Sequence, residues 1–338
     1  MTRYQKGKIR KIAKMILIKR LFRLLGFAIL FILGVVVVLC TSWFRKDIPV
    51  TELESNYLTP QSSYITVDGS NIHIRQQGKG TPLFLLHGSF ASLHTWDGWE
   101  KELSKHYKTI SLDFPGHGLT GPIASQKYST DDYERLVIHL ADQLEIDTFF
   151  VAGNSMGGQV AWKLALHHPT RVKKLVLVDA AGYWKISPDS SSKKRSRPFI
   201  FKLLQNDFVA KSMIKITPRF LFKMNLKQVY GDPTKVKEAD VDRFYDLMLR
   251  EGNRASTMQR LRQPGKDLQD SIRYISTPTL IIWGEKDAWI PVSNAYRFKE
   301  DIKDAELKVF EGAGHVPMEE IPSETVSAVL QFLQNKPR

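Results

Sequence analysis

Ser155 lies in Gly153-Asn154-Ser155-Met156-Gly157-Gly158, directly after the apolar run 149–152 (FFVA) and before Val160, Ala161, Leu164 and Ala165 at helical spacing. A serine hydroxyl is a weak nucleophile at neutral pH and needs a base beside it and donors for the oxyanion it creates. A strand, a sharp turn and a helix supply that placement. Small residues at 153 and 157 permit close backbone approach, and the Met156 N–H falls at a helix amino end, aimed where an oxyanion would form. The plain structural alternative is a glycine-rich turn ahead of a helix. A dinucleotide-binding loop is the less fitting one, because the run 153–158 (GNSMGG) does not have the G-x-G-x-x-G spacing.

Nine histidines compete to be the base. His315 stands out, in 311–315 (EGAGH), between the strand-like 307–310 and the last helical pattern. A loop there can carry an imidazole over the carboxyl edge of a sheet, where open α/β sheets bind ligands. His167 and His168 end the helix after Ser155, where positive charge suits the dipole. His139 is assigned to the polar side of its helix, His73 to an exposed hairpin, and His87 to a structural role beside a donor loop. The acid that orients the imidazole is expected to be Asp287, in 283–287 (WGEKD) after an apolar strand, with Asp179 in reserve. Asp113 precedes the serine and is expected to tie down its own turn, 113–118 (DFPGHG). The loop 86–90 (LHGSF) should provide the second oxyanion donor, the backbone N–H of Ser89, with Phe90 lining the substrate pocket. No cofactor or metal is called for, and the single cysteine, Cys40, rules out an internal disulfide framework.

These residues require a scaffold of buried strands. Residues 63–67 and 71–75 alternate around the turn 68–70, as a half-buried hairpin does. Residues 82–86, 109–112, 149–152, 175–178 and 280–283 are instead short continuous apolar runs, which suit strands covered on both faces. Helical patterns alternate with them: Tyr133, Leu136, Val137, Leu140 and Leu144 share a face behind the capping candidates Ser129 and Thr130, and Val326, Val329, Leu330 and Leu333 repeat the pattern near the end. The alternation predicts an α/β fold with a mostly parallel, doubly wound sheet. It pauses over 183–273, read as a helical cap, leaving 63–182 and 274–338 as the core. From Tyr183 to Tyr230 that cap holds eleven basic and two acidic residues. Solvated amphipathic helices and docking on an anionic membrane surface both fit this composition.

The formal charge of +14 suggests a nucleic-acid partner only until its position is noted. Eleven of the 49 basic residues precede Asp47, where there is no acid, and the remainder of the chain nets only +3. No nucleic-acid motif accompanies them, so that partner is set aside. Residues 24–44 run 21 positions without a charge, roughly 30 Å of helix and enough to cross a bilayer core. A cleaved signal peptide competes, but its core would be shorter and an A-x-A-like site should follow. Lipoprotein processing at Cys40 is opposed by the bulky Leu39 before it. Nine Lys or Arg residues in the basic segment 1–23, against Arg45 and Lys46 after the span, place the amino terminus in the cytoplasm. The catalytic part, joined by a connector over 45–62, would then face the non-cytoplasmic side, which is the periplasm in a bacterium.

Taken together, 86–88 (LHG), 113–118 (DFPGHG), 153–158 (GNSMGG), 283–287 (WGEKD) and 314–319 (GHVPME) resemble, in order, the motifs of the α/β-hydrolase family over about 64–333. Within it, the serine and histidine motifs resemble bacterial lipases and monoacylglycerol-lipase-like esterases, and the serine motif also resembles the hydrolases that cleave carbon–carbon bonds of aromatic ring-fission products. The resemblance implies hydrolysis of a carboxylic ester, of a lipid or other small acyl substrate, through an acyl-Ser155 intermediate, with the triad order Ser155, Asp287, His315 and an oxyanion hole at Ser89 and Met156. Carbon–carbon hydrolases usually carry a glycine-richer loop than 87–92 (HGSFAS). Epoxide hydrolases and haloalkane dehalogenases use an aspartate where Ser155 stands, whereas haloperoxidase-like members share the serine triad. A catalytically silent binding protein that keeps the fold is the alternative outside enzymes.

Overall fold

The computed structural model describes residues 3–183, 214–263 and 265–335. It divides into two units, Met1–Arg45 with Lys215–Pro218, and Lys46–Ile214 with Arg219–Arg338. The smaller contains helix α1 (Arg3–Trp43), whose stretch Lys14–Trp43 includes an 18-residue window of mean hydropathy 3.0 and is long and apolar enough to cross a membrane. The helix starts well before the apolar span read at 24–44, since Lys and Arg are good helix formers and no proline interrupts them. Just past α1, Phe44 bridges Ile216 antiparallel, and Arg45 N–H donates to the Lys215 carbonyl at 2.8 Å.

The larger unit is built on one sheet of β1 (Ser62–Val67), β2 (Ser70–Gln77), β3 (Pro82–Leu86), β4 (Lys108–Leu112), β5 (Phe149–Asn154), β6 (Val172–Val178), β7 (Thr279–Gly284) and β8 (Ala305–Phe310), in the order β1-β2-β4-β3-β5-β6-β7-β8. β1 with β2 and β2 with β4 run antiparallel, and every other neighbouring pair runs parallel. Asp68 (φ 48°) and Gly69 (φ 75°) make the two-residue hairpin turn whose twist matches its strands.

Alternation across the pleat explains why the inner strands read as unbroken apolar runs. Phe84 and Leu86, Leu175 and Leu177, and Ile281 and Trp283 enter the core on one face, while Leu83 and Leu85, Val176 and Val178, and Leu280 and Ile282 enter the core on the other. Each side chain buried in this way contributes about 1.5–3 kcal/mol. The first face is covered by α4 (Thr130–Gln143) and α5 (Met156–His167), the second by α3 (Asp97–Leu103) and the carboxyl-terminal helix Pro322–Gln334. Ser129 caps α4: its Oγ accepts from Asp132 N–H at 3.2 Å while the Asp132 carboxylate accepts from Ser129 N–H at 2.9 Å.

Two expectations need correction. His73 is fully buried, because β2 is not an edge strand: it lies between β1 and β4, and the ring meets Asp113. The 45–62 connector contains helix α2 (Val50–Tyr57), whose Leu53 is buried against Leu119 and Leu247, while Asp47 pairs with Arg254. Val50, Leu53 and Tyr57 share one face of this helix, but three apolar positions in an eight-residue helix make a short pattern to read. In the expected cap, residues 184–213 lie outside the described residues; α6 (Arg219–Val229), α7 (Glu238–Leu249) and α8 (Asn253–Arg262) are helical.

Candidate active site

β5 ends at Asn154 and α5 begins at Met156, so Ser155 alone makes the turn, at φ 52° and ψ −114°. A non-glycine residue held there costs on the order of 1–3 kcal/mol, which the surroundings must offset. They do so with backbone bonds: Ser155 N–H donates to Val178 at 3.1 Å, and its carbonyl accepts from Gln159 at 3.0 Å and Ala181 at 2.9 Å. A Cβ on Gly153 would lie 2.2 Å from the Gly157 carbonyl oxygen, and one on Gly157 would lie 2.1 Å from that of Leu86. Both glycines are therefore required for close approach. Met156, first in α5, presents a backbone N–H without an acceptor inside the helix.

The loop after β3 lies against this turn. A Cβ on Gly88 would come within 2.8 Å of Asn154 Oδ1 and 3.2 Å of Ser155 Cβ. His87, fully buried, fixes the loop's orientation. Phe114 N–H can only donate, and it does so to His87 Nε2 at 3.0 Å, so Nδ1 carries the proton and donates to the Gly88 carbonyl at 2.7 Å. Burial lowers the pKa of this ring and keeps it neutral, as that arrangement requires. In a trans peptide the carbonyl and the next N–H point apart, so the Ser89 N–H is turned away from the His87 ring. Phe90 is half-buried with φ 64° and lines a small recess with Ala91, Leu247, Met248 and Thr257.

Asp287 and His315 are brought together: His315 Nδ1 lies 2.7 Å from Asp287 Oδ2, and both residues are buried. Asp287 Oδ1 accepts from Trp289 N–H at 2.7 Å and Ile290 N–H at 2.9 Å, which fixes the carboxylate against the ring. The Trp289 indole stacks on the imidazole with centroids 5.8 Å apart and planes 22° apart. The His315 backbone is held from two sides, its N–H donating to Val229 at 2.7 Å and its carbonyl accepting from Asn154 Nδ2 at 3.0 Å. Buried Glu320 accepts from Gly314 N–H at 2.8 Å, Gly231 N–H at 3.0 Å and Asp232 N–H at 2.8 Å. Asn154, Trp289 and Glu320 were not singled out from sequence. Asn154 stood inside the motif, but its task depends on which loop faces it.

Asp179, the reserve acid, is also here. One oxygen each from Asp179 and Asp287 and a ring nitrogen of His315 lie within 4.8 Å of one another. A cation held there would compete with the short His315–Asp287 hydrogen bond for the same atoms. Asp113 has the turn role expected of it: its carboxylate accepts from Leu119 N–H and Leu93 N–H, each at 2.8 Å, and meets His73 Nδ1 at 2.7 Å. Burial pushes its carboxyl up, but the His73 hydrogen bond and charge outweigh that, and the net direction is down. His139 is exposed beside Asp68, and His167 and His168 share Glu134.

A mostly parallel sheet with a strained serine between strand and helix, and a His–Asp pair on later loops, defines a protein of the hydrolase class. The chain belongs to the α/β-hydrolase fold family, whose pattern matches residues 81–322. It is 29% identical over 286 residues to the 2-hydroxy-6-oxo-6-(2'-aminophenyl)hexa-2,4-dienoic acid hydrolase of Metapseudomonas resinovorans, covering 81% of this chain and 91% of that protein. It is 29% identical over 265 residues to the pimeloyl-[acyl-carrier protein] methyl ester esterase of Nitrosomonas europaea, covering 76% and 98%. The crystal structure of a membrane phospholipase A, a bacterial virulence factor, shares the fold with a TM-score of 0.66 and 24% identity, over 92% of this chain and 97% of that one.

Proposed function

We propose that the protein is a membrane-anchored serine hydrolase of carboxylic esters, acting on lipid or other acyl substrates through an acyl-Ser155 intermediate. The observation that carries this is the 2.7 Å bond from His315 Nδ1 to Asp287 on a loop tied to Asn154, the neighbour of Ser155. With Nδ1 donating to the carboxylate, Nε2 is left as the base. His315 takes the Ser155 proton as Oγ attacks the acyl carbonyl, then gives it to the departing alcohol; water, activated by the same ring, releases the acid. Asp287 balances the imidazolium, and the Ser89 and Met156 N–H groups hold the oxyanion. Phe90 lines the acyl site, beside Leu247, Met248 and Thr257 of the expected cap segment.

The α1 helix supports the membrane part of the proposal, with the amino terminus cytoplasmic and the catalytic domain on the other side. α6 exposes Phe220, Leu221 and Met224, while Arg219 and Lys223 are taken up by Glu238 and Asp242. At these positions α6 offers a lipid surface apolar contact, the charges of Arg219 and Lys223 being paired. Carbon–carbon hydrolysis of a ring-fission product is the second reading, favoured by the likeness to the dienoic acid hydrolase. Ser155→Ala should abolish p-nitrophenyl ester turnover and fluorophosphonate labelling. Unchanged turnover refutes the assignment, and parent turnover of a ring-fission dienoate without ester hydrolysis transfers it to the second reading.

A further inference from the structure

Asp179 sits at the end of β6 with φ 45°, a strained conformation for a residue with a side chain, and is fully buried. Its Oδ1 accepts one hydrogen bond, from Gly284 N–H at 3.0 Å, and its Oδ2 has no partner. Asp287, within 4.8 Å, is satisfied quite differently, by two backbone N–H groups on one oxygen and His315 Nδ1 on the other. Two buried carboxylates this close do not both ionise, and the proton goes to the one with fewer donors. That one is Asp179. An orphaned, buried acceptor beside another acceptor is costly as an anion, whereas a carboxylic acid there donates to its neighbour.

We propose that Asp179 is a positioning residue that works as a neutral carboxylic acid, donating its proton in a hydrogen bond to the neighbouring Asp287 carboxylate. The proposal rests on the triad reading given above. Burial, and then the Asp287 charge, push the Asp179 carboxyl well above the usual carboxylate range. The titratable groups facing it are Asp287, His315 and, further off, Glu320, whose carboxylate is occupied by three backbone N–H groups. The bond disperses part of the Asp287 charge and fixes the plane in which its other oxygen meets the ring. It also explains why a second acid is tolerated beside the base: an ionised Asp179 would hold the imidazolium too strongly for it to return its proton.

The test is the pH profile of kcat/KM for a p-nitrophenyl ester, measured on the full-length protein in detergent with Asp179→Asn and Asp179→Ala. An amide is neutral and still donates, so Asp179→Asn should superpose on the parent profile. Asp179→Ala removes a hydrogen bond to a charged group and should lose about 10- to 150-fold in kcat/KM. Its acidic limb should move to higher pH, because the less dispersed Asp287 charge favours the imidazolium. If Asp179 is ionised in the parent, Asp179→Asn deletes a negative charge near the ring and moves the acidic limb about a unit or more to lower pH, which overturns the proposal. An alanine variant with the parent profile overturns it as well. Should Asp179→Ala fail to fold, the infrared difference between parent and Asp179→Asn decides: a protonated carboxyl carbonyl band is expected at neutral pH, and its absence is fatal. Fluorophosphonate labelling of Ser155, lost in Ser155→Ala, tests the triad separately, so failure of one reading is distinguishable from failure of the other.

Discussion

Asn154→Ala isolates how far the serine turn depends on the histidine loop. The parent amide donates to the Val178 carbonyl at 3.1 Å and to the His315 carbonyl at 3.0 Å, from a site only 2% exposed. The two acceptors do not lose equally. Val178 keeps the Ser155 N–H at 3.1 Å, so the cost falls on the His315 carbonyl, for which no other donor is in reach among the described contacts. Leaving one buried carbonyl unpaired costs about 1–3 kcal/mol. Spent on stability, this lowers the melting temperature by about 2–4 °C per kcal/mol. Spent on displacing His315, the proposed base, it lowers kcat about 5- to 150-fold, with KM changed far less because Asn154 holds a loop and not the substrate. Asn154→Asp should do more damage, since it sets a carboxylate oxygen against two carbonyls. Initial rates on a p-nitrophenyl ester and a thermal melt, read together, give the partition. Parent kcat and parent melting temperature in Asn154→Ala would refute the idea that this amide positions the base.

Asp113→Asn should destabilise the fold by about 3–5 kcal/mol, because the buried His73 pair is broken and an amide faces two N–H donors. Asp113 is held below its ordinary range, so it contributes stability that is present above the unfolded carboxyl value of about 4 and lost as pH falls below it; the variant's stability, followed by urea melts, should decline less steeply on acidification than the parent's. The full chain should stay with membranes through alkaline carbonate extraction, and a chain lacking 1–45 should not; release of the full chain would remove the anchor from the proposal.

What could be read along the chain was what is encoded locally. Gly153, Ser155 and Gly157 are a contiguous pattern, and the Leu86 carbonyl that Gly157 must approach lies on a strand whose apolar run was equally plain. Asp287 and His315 followed from their places after apolar strands. Contacts that depend on which strands are neighbours were hidden. His73 alternates as an exposed hairpin residue would, and only the seating of β2 between β1 and β4 buries it against Asp113. Glu320 looked like any helical carboxylate, but it gathers N–H groups from 231, 232 and 314. The likeness between Asp179 and Asp287, both acids at strand ends, presented them as rivals for one role; their side-by-side placement is what carries the two roles proposed above.

The histidine loop also constrains how substrate can enter. His315 hangs between the sheet and the carboxyl end of α6, with its N–H on Val229, its carbonyl on Asn154, and Gly314 tied through Glu320 to Gly231 and Asp232. There is no slack between these backbones: a Cβ on Gly314 would lie 2.3 Å from Gly231 N, and one on Gly231 would lie 2.2 Å from the Gly312 carbonyl oxygen. Moving 229–232 outward would therefore pull His315 away from Asn154 or break several buried hydrogen bonds at about 1–3 kcal/mol each. A hinge there would open the site only by disabling it. If His315 is the base proposed above, any opening that leaves it in register has to come from outside 229–232, and this stretch belongs with the frame that holds His315 although it lies in the expected cap segment.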